Sequence, residues 1–182
     1  MPTRILLVRH GEAECNINGI VGGPTGCTGL SDTGRLQVEC LRERWARTGE
    51  VEADVLMSSV LRRARETAAI LGPALGDLEV VEDCDVCELH PGEIRARVDG
   101  LLHRIIRDYA ERTIIVARHG GVVMMSMHVL FKAQPWPEGG AYLDPPNTSI
   151  TEWSNDGSRW ALVRYADAAH LMSEARSDTL PS

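Results

Sequence analysis

The chain lacks any run near the roughly 20 consecutive apolar residues of a membrane-crossing helix. A membrane-spanning protein is therefore not expected. An excess of positive charge is also missing: the net charge is −7. A broad surface for nucleic acid or anionic lipid is thus excluded as a working expectation, although a local cationic pocket is not. Aromatic residues make up only 4% of the sequence. There is no low-complexity tract and no internal repeat beyond one tripeptide. The five cysteines are an odd number in a chain too long for a disulfide scaffold, so they read as reduced thiols. Cys84-x-x-Cys87 with His90 nearby has no second Cys or His pair to complete a tetrahedral zinc site, so no metal is expected. The opening Met1-Pro2-Thr3-Arg4 enters a strand almost at once, which predicts no signal peptide and a cytoplasmic address.

What is present is more telling. Arg-His-Gly occurs twice, at Arg9-His10-Gly11 and Arg118-His119-Gly120, each directly after a short apolar run, Ile5–Val8 and Ile114–Ala117. Such runs read as buried strands of a mostly parallel sheet. Strands are predicted near Arg4–Val8, Asp54–Met57, Leu78–Val81, Thr113–Ala117, Ser149–Trp153 and Trp160–Tyr165. Helices are predicted near Asp32–Arg47, Val60–Leu71, Glu93–Glu111 and Gly121–Phe131, with Ser31 capping the first and Gly49 ending it. Asn155-Asp156-Gly157 marks a turn, so the last two strands should pair antiparallel. The alternation predicts an α/β three-layer sandwich: a mostly parallel central sheet, helices on both faces, and an antiparallel C-terminal hairpin. The glycine-rich stretch Gly19–Gly29 reads as a loop beside the first tripeptide. The methionines Met124, Met125 and Met127 read as core.

Ligands of open α/β sheets bind beyond the carboxyl ends of the strands. Two parallel strands would therefore bring two Arg-His pairs to one rim. Arginine suits a phosphate because its planar fork binds two oxygens and stays charged. Arg9 is one candidate. Arg63 is another, in a stretch that opens a helix toward the same rim. Arg62 and Arg65 are expected at the solvated helix surface. A neutral imidazole can attack phosphorus, and nearby arginines should keep it neutral. The attack must be in line, with positive groups on the equatorial oxygens and an acid opposite for the leaving alkoxide.

Arg9-His10-Gly11-Glu12 with Asn16 resembles the opening motif of the histidine phosphatase superfamily, the phosphoglycerate-mutase-like proteins. Leu30-Ser31-x-x-Gly34-x-x-Gln37, Arg63-Ala64-x-x-Thr67-Ala68, Glu88-x-His90-x-Gly92, His119-Gly120-Gly121 and Asn147-x-Ser149-Ile150 are similar to its later blocks, in the same order. The resemblance implies one histidine-phosphatase-like domain over residues 1–182, with a short cap segment near 88–100. It implies a phosphohistidine on His10, a grip on the phosphoryl group by Arg9, Arg63, His119 and Asn16, and Glu88 as proton donor. It implies no metal and no cofactor. The partner would be a small phosphorylated substrate. Pairing of the tail or the hairpin edge with a second copy stays open.

Two departures from the family pattern stand out. Ala13 replaces the Ser or Thr common after the motif's glutamate. The stretch between Glu88 and His119 is short, which implies either a very small cap or a segment absent near Glu93–Arg95. Three functions remain in play. They are metal-independent phosphomonoester hydrolysis, which the small cap favours, phosphoglycerate mutation, and a catalytically silent phosphate-binding module. Glu12 is expected to ion-pair with an arginine and serve structure. His103, His128 and His170 carry no assigned task, and Trp136, Trp153 and Trp160 are expected to pack about the hairpin.

Overall fold

A computed structural model describes residues 1–20, 22–23, 25–87, 94–133 and 142–172. Six strands form one sheet in the order β3-β2-β4-β1-β5-β6. They are β1 (Thr3–Arg9), β2 (Val55–Ser58), β3 (Val80–Glu82), β4 (Thr113–Arg118), β5 (Ile150–Asn155) and β6 (Trp160–Asp167). The first four run parallel, and β5 and β6 are antiparallel. The helices are α1 (Glu14–Ile17), α2 (Asp32–Thr48), α3 (Arg62–Leu71), α4 (Ile94–Asp108) and α5 (Gly120–Leu130).

The period-2 alternation of the central strands builds the three layers. Ile5 and Leu7 of β1, with Ile114 and Val116 of β4, face Val98, Leu101, Leu102 and Ile105 of α4 and Val122, Met125 and Met127 of α5. Leu6 and Val8, with Ile115 and Ala117, face Val38, Leu41 and Trp45 of α2 and Ala68 and Leu71 of α3. Both faces of β1 and β4 are therefore dry, which is why their sequences read as unbroken apolar runs. Each fully buried leucine or isoleucine contributes about 1.5–3 kcal/mol.

Ser31 Oγ accepts the Gly34 N–H at 3.0 Å and starts α2; Gly49 ends it at φ 61°. The Asn155-Asp156-Gly157 turn closes as expected, with Gly157 at φ 91° and the Asp156 carboxylate accepting the Ser158 and Arg159 N–H groups. Two helix boundaries differ from expectation by two or three residues, and one short helix is new. α3 starts at Arg62 rather than Val60, because Leu61 keeps an extended backbone. α4 ends at Asp108, and Glu111 then takes φ 62° to turn the chain into β4. The single turn α1 has no forerunner in the sequence pattern; the Asn16 side chain accepts the Ala13 N–H at 3.2 Å and caps it from inside. Trp153 is buried against Phe131 and Trp160. Trp136 and the segment 88–93 lie outside the described residues. No described helix is long and apolar enough to cross a membrane.

Candidate active site

Parallel pairing places Arg9 opposite Arg118 at the carboxyl ends of β1 and β4. The next residues, His10 and His119, therefore emerge on one rim. Their ring centroids lie 5.1 Å apart, at an interplanar angle of 64°. Both imidazoles are buried, as is Arg63, which comes in from the first turn of α3.

His10 has a defined tautomer. Its Nδ1 lies 2.6 Å from the Gly11 carbonyl oxygen, which can only accept, so Nδ1 carries the proton. Nε2 is left with its lone pair, and Arg63 Nε donates to it at 3.0 Å. Arg63 Nη1 donates to Gly22 O at 2.6 Å, tying the glycine loop to the site. Burial pushes the His10 pKa down to about 3; the Gly11 bond opposes this, and Arg63 and Arg9 add to it. Burial also holds His119 well below the ordinary histidine range, followed by His10, Arg63, Arg118 and Arg9. Both shifts favour neutral imidazoles, the state expected of the attacking one, but burial is the chief cause and the arginines the lesser.

His119 rests on Ser59, a residue that no motif flags. Its Nε2 lies 2.9 Å from Ser59 Oγ. Ser59 Oγ also receives the Leu61 N–H at 3.3 Å and lies 3.1 Å from Cys87 Sγ. His119 Nδ1 is buried without a partner among the described residues, and so is Arg9 Nε. The one sequence signal for Ser59 is its place just after β2, at the same rim. Arg9 Nη1 donates to Asp144 Oδ1 at 3.0 Å and to Pro145 O.

The other motif residues hold this rim together. A Cβ on Gly34 would run into the backbone oxygen of Glu12, so only glycine lets α2 pass under the loop after β1. Gln37 Oε1 accepts the Glu12 N–H at 2.9 Å, and Thr67 Oγ1 accepts the Gly11 N–H at 3.2 Å while donating to Arg63 O. Asn147 Nδ2 donates to His10 O at 2.9 Å. Thr148 sits at φ 58°. That conformation is costly for a β-branched residue. Its N–H bonds Arg9 O at 2.9 Å.

A cavity of ≈ 490 Å³ opens here, lined by Arg9, His10, Asn16 and Arg63 together with Cys15, Ile20, Gly22, Met124 and the segment Tyr142–Pro145. Three expectations need correction. Met124 lines the cavity instead of the core, because α5 starts at the rim and turns that face to it. Arg118 is wholly buried beneath the rim and does not line the cavity. Glu12 accepts the Ser31 hydroxyl at 2.8 Å rather than pairing with an arginine. His170 is buried and bonds Thr148 Oγ1 at 2.8 Å. Arg62 and Arg65 form surface ion pairs with Glu66 and Glu82. Glu88 and His90 lie outside the described residues.

The family model described as histidine phosphatase superfamily (branch 1) matches residues 5–95 and 90–168. A phosphoglycerate mutase-like protein of Arabidopsis thaliana, number 4 of its series, is 27% identical over 92% of this chain and 86% of its own. A metal-independent phosphoserine phosphatase of the same plant is 24% identical over 94% of this chain and 84% of its own. A phosphoglycerate mutase structure from Bacillus anthracis superposes with a TM-score of 0.78, at 14% identity, over 96% of this chain and 97% of its own. Mutase and phosphatase names thus both occur among the relatives, and the fold alone does not choose between them.

Proposed function

Because this chain belongs to the histidine phosphatase superfamily, we propose that it hydrolyses phosphomonoesters through a phosphohistidine on His10. The observation that carries this reading is the protonation pattern of His10: Nδ1 is committed to Gly11 O, and Nε2 keeps its lone pair beside the Arg63 guanidinium. In the first half-reaction Nε2 attacks phosphorus, the P–N bond forms and the ester P–O bond breaks. Arg63 exchanges its bond to Nε2 for a phosphoryl oxygen. Arg9 Nε and His119 Nδ1, both buried without a described partner, supply further N–H donors, and Asn16 adds a contact from the mouth.

His119 can donate from Nδ1 only if its Nε2 accepts. Ser59 fits that requirement. Its oxygen takes hydrogens from Leu61 N–H and Cys87 S–H and gives its own to His119 Nε2. We assign proton donation to the departing alkoxide to Glu88, next in sequence to Cys87. In the second half-reaction its carboxylate takes a proton from water as the water oxygen attacks phosphorus. The P–N bond breaks, and inorganic phosphate and neutral His10 result.

A phosphohistidine that water reaches is hydrolysed, whereas a mutase must shelter it. The expected result is release of inorganic phosphate from simple phosphomonoesters in chelator-containing buffer, abolished in His10→Ala. Undiminished release by that variant would reject the reading.

A further inference from the structure

Past the phosphate grip, the cavity has a second half with its own chemistry. Its wall is Ile20, Met124, Tyr142, Leu143 and Pro145, with the Asp144 carboxylate at the edge. Ile20 is 54% exposed, Tyr142 73% and Leu143 39%. That is an unusual outlay of apolar surface at the mouth of a polar site. Arg9 and Arg63 are the basic residues on the described wall, and both belong to the phosphate grip. The segments 88–93 and 134–141, which adjoin the site in sequence, contain neither lysine nor arginine.

Resting on the phosphatase reading above, we infer that the leaving-group side takes an uncharged, apolar alcohol and rejects a second anionic group. An apolar leaving group covers Ile20, Tyr142 and Leu143 and removes their surface from water. A carboxylate at the same place finds no arginine fork or ammonium among the described residues. It meets the Asp144 carboxylate instead, which already takes Arg9 Nη1 at 3.0 Å, so a second carboxylate finds no described cation left to pair with. The same wall thus disfavours a phosphoglycerate, which carries both groups.

The test compares specificity constants for hexyl phosphate, 3-phosphoglycerate and phosphocholine, all esters of alkyl alcohols, so that leaving-group acidity does not dominate the ranking. The expected result is a preference of at least about tenfold for hexyl phosphate over 3-phosphoglycerate, the scale set by small apolar differences in a pocket. Ile20→Ser with Tyr142→Ala should cut that preference several-fold; both side chains are exposed, so folding should survive. Leu143→Arg should raise kcat/KM for 3-phosphoglycerate relative to hexyl phosphate. Equal or better turnover of 3-phosphoglycerate by the unaltered protein would overturn the inference, while His10-dependent phosphate release would still stand. A preference for phosphocholine would overturn it too and assign the edge to a cation held by Asp144. No His10-dependent release from any ester would overturn both this inference and the reading it rests on.

Discussion

Removing the Ser59 hydroxyl should disable His119 without touching it. In Ser59→Ala, the 2.9 Å bond to His119 Nε2 disappears inside a fully buried environment. Nε2 becomes an unpaired buried acceptor, and nothing described then favours the tautomer that leaves a proton on Nδ1. An unsatisfied buried polar group costs about 1–3 kcal/mol. If that cost falls on the transition state, kcat drops by about 5- to 150-fold. KM should change less, because the bond from Nδ1–H strengthens as charge develops on the phosphoryl oxygens. The Leu61 N–H also loses its acceptor. Folding stability should therefore fall by about 1 kcal/mol in urea titrations. Steady-state kinetics separates the two effects, and 15N spectra of the imidazoles report the tautomer directly. Wild-type kcat in folded Ser59→Ala, or an Nε2–H tautomer at His119 in the unaltered protein, would refute this account.

Other perturbations have equally definite outcomes. Gly34→Ala drives a Cβ into the Glu12 oxygen, a backbone atom that cannot rotate away. It should lower stability by about 3 kcal/mol in urea, and a loss under about 1 kcal/mol would mean that the loop after β1 is free to shift. Arg63→Lys keeps a charge but loses the fork that spans His10 Nε2 and Gly22 O. It should cost about 10²-fold in kcat/KM, and an unchanged value would remove Arg63 from the phosphate grip. Three buried histidines make the protein acid-sensitive: His10 is pushed down to about 3, His119 well below 6.5 and His170 to about 4, each chiefly by burial. Their folded pKa values lie below the unfolded value, so the unfolded state binds protons first as pH falls. Stability is unaffected above about pH 7 and is lost progressively from about pH 6.5 downward, as the unfolded chain takes up protons that the buried imidazoles refuse. Urea midpoints at pH 7 and pH 5 should differ clearly; coincident midpoints would contradict the burial argument.

The parts legible in the sequence were those set by local pattern. Apolar runs of four marked β1 and β4 because both sheet faces are covered, and Asn155-Asp156-Gly157 marked the hairpin through its turn chemistry. The convergence of His10 and His119 followed from two parallel strands ending on one rim. What the sequence hid depends on distant partners. Ser59 looks like any small residue before a helix until Cys87 and His119 are seen around it. Met124 reads as core by composition, yet it lines the cavity because α5 starts at the rim, at Gly120. Arg118 repeats the Arg-His-Gly pattern of Arg9, yet it is wholly buried and does not line the cavity, whereas Arg9 does. The acid sensitivity of the imidazoles comes from burial, which no count of nearby arginines reveals.

The central claim is that the phosphoryl group passes onto His10. Rapid mixing of the protein with a labelled phosphomonoester, quenching in base, and mapping of the modified peptide tests it directly. The expected result is one acid-labile, base-stable phosphoryl group on His10, formed and lost at rates compatible with turnover and absent in His10→Ala. Turnover with no such adduct, or with the label on another side chain, would contradict it.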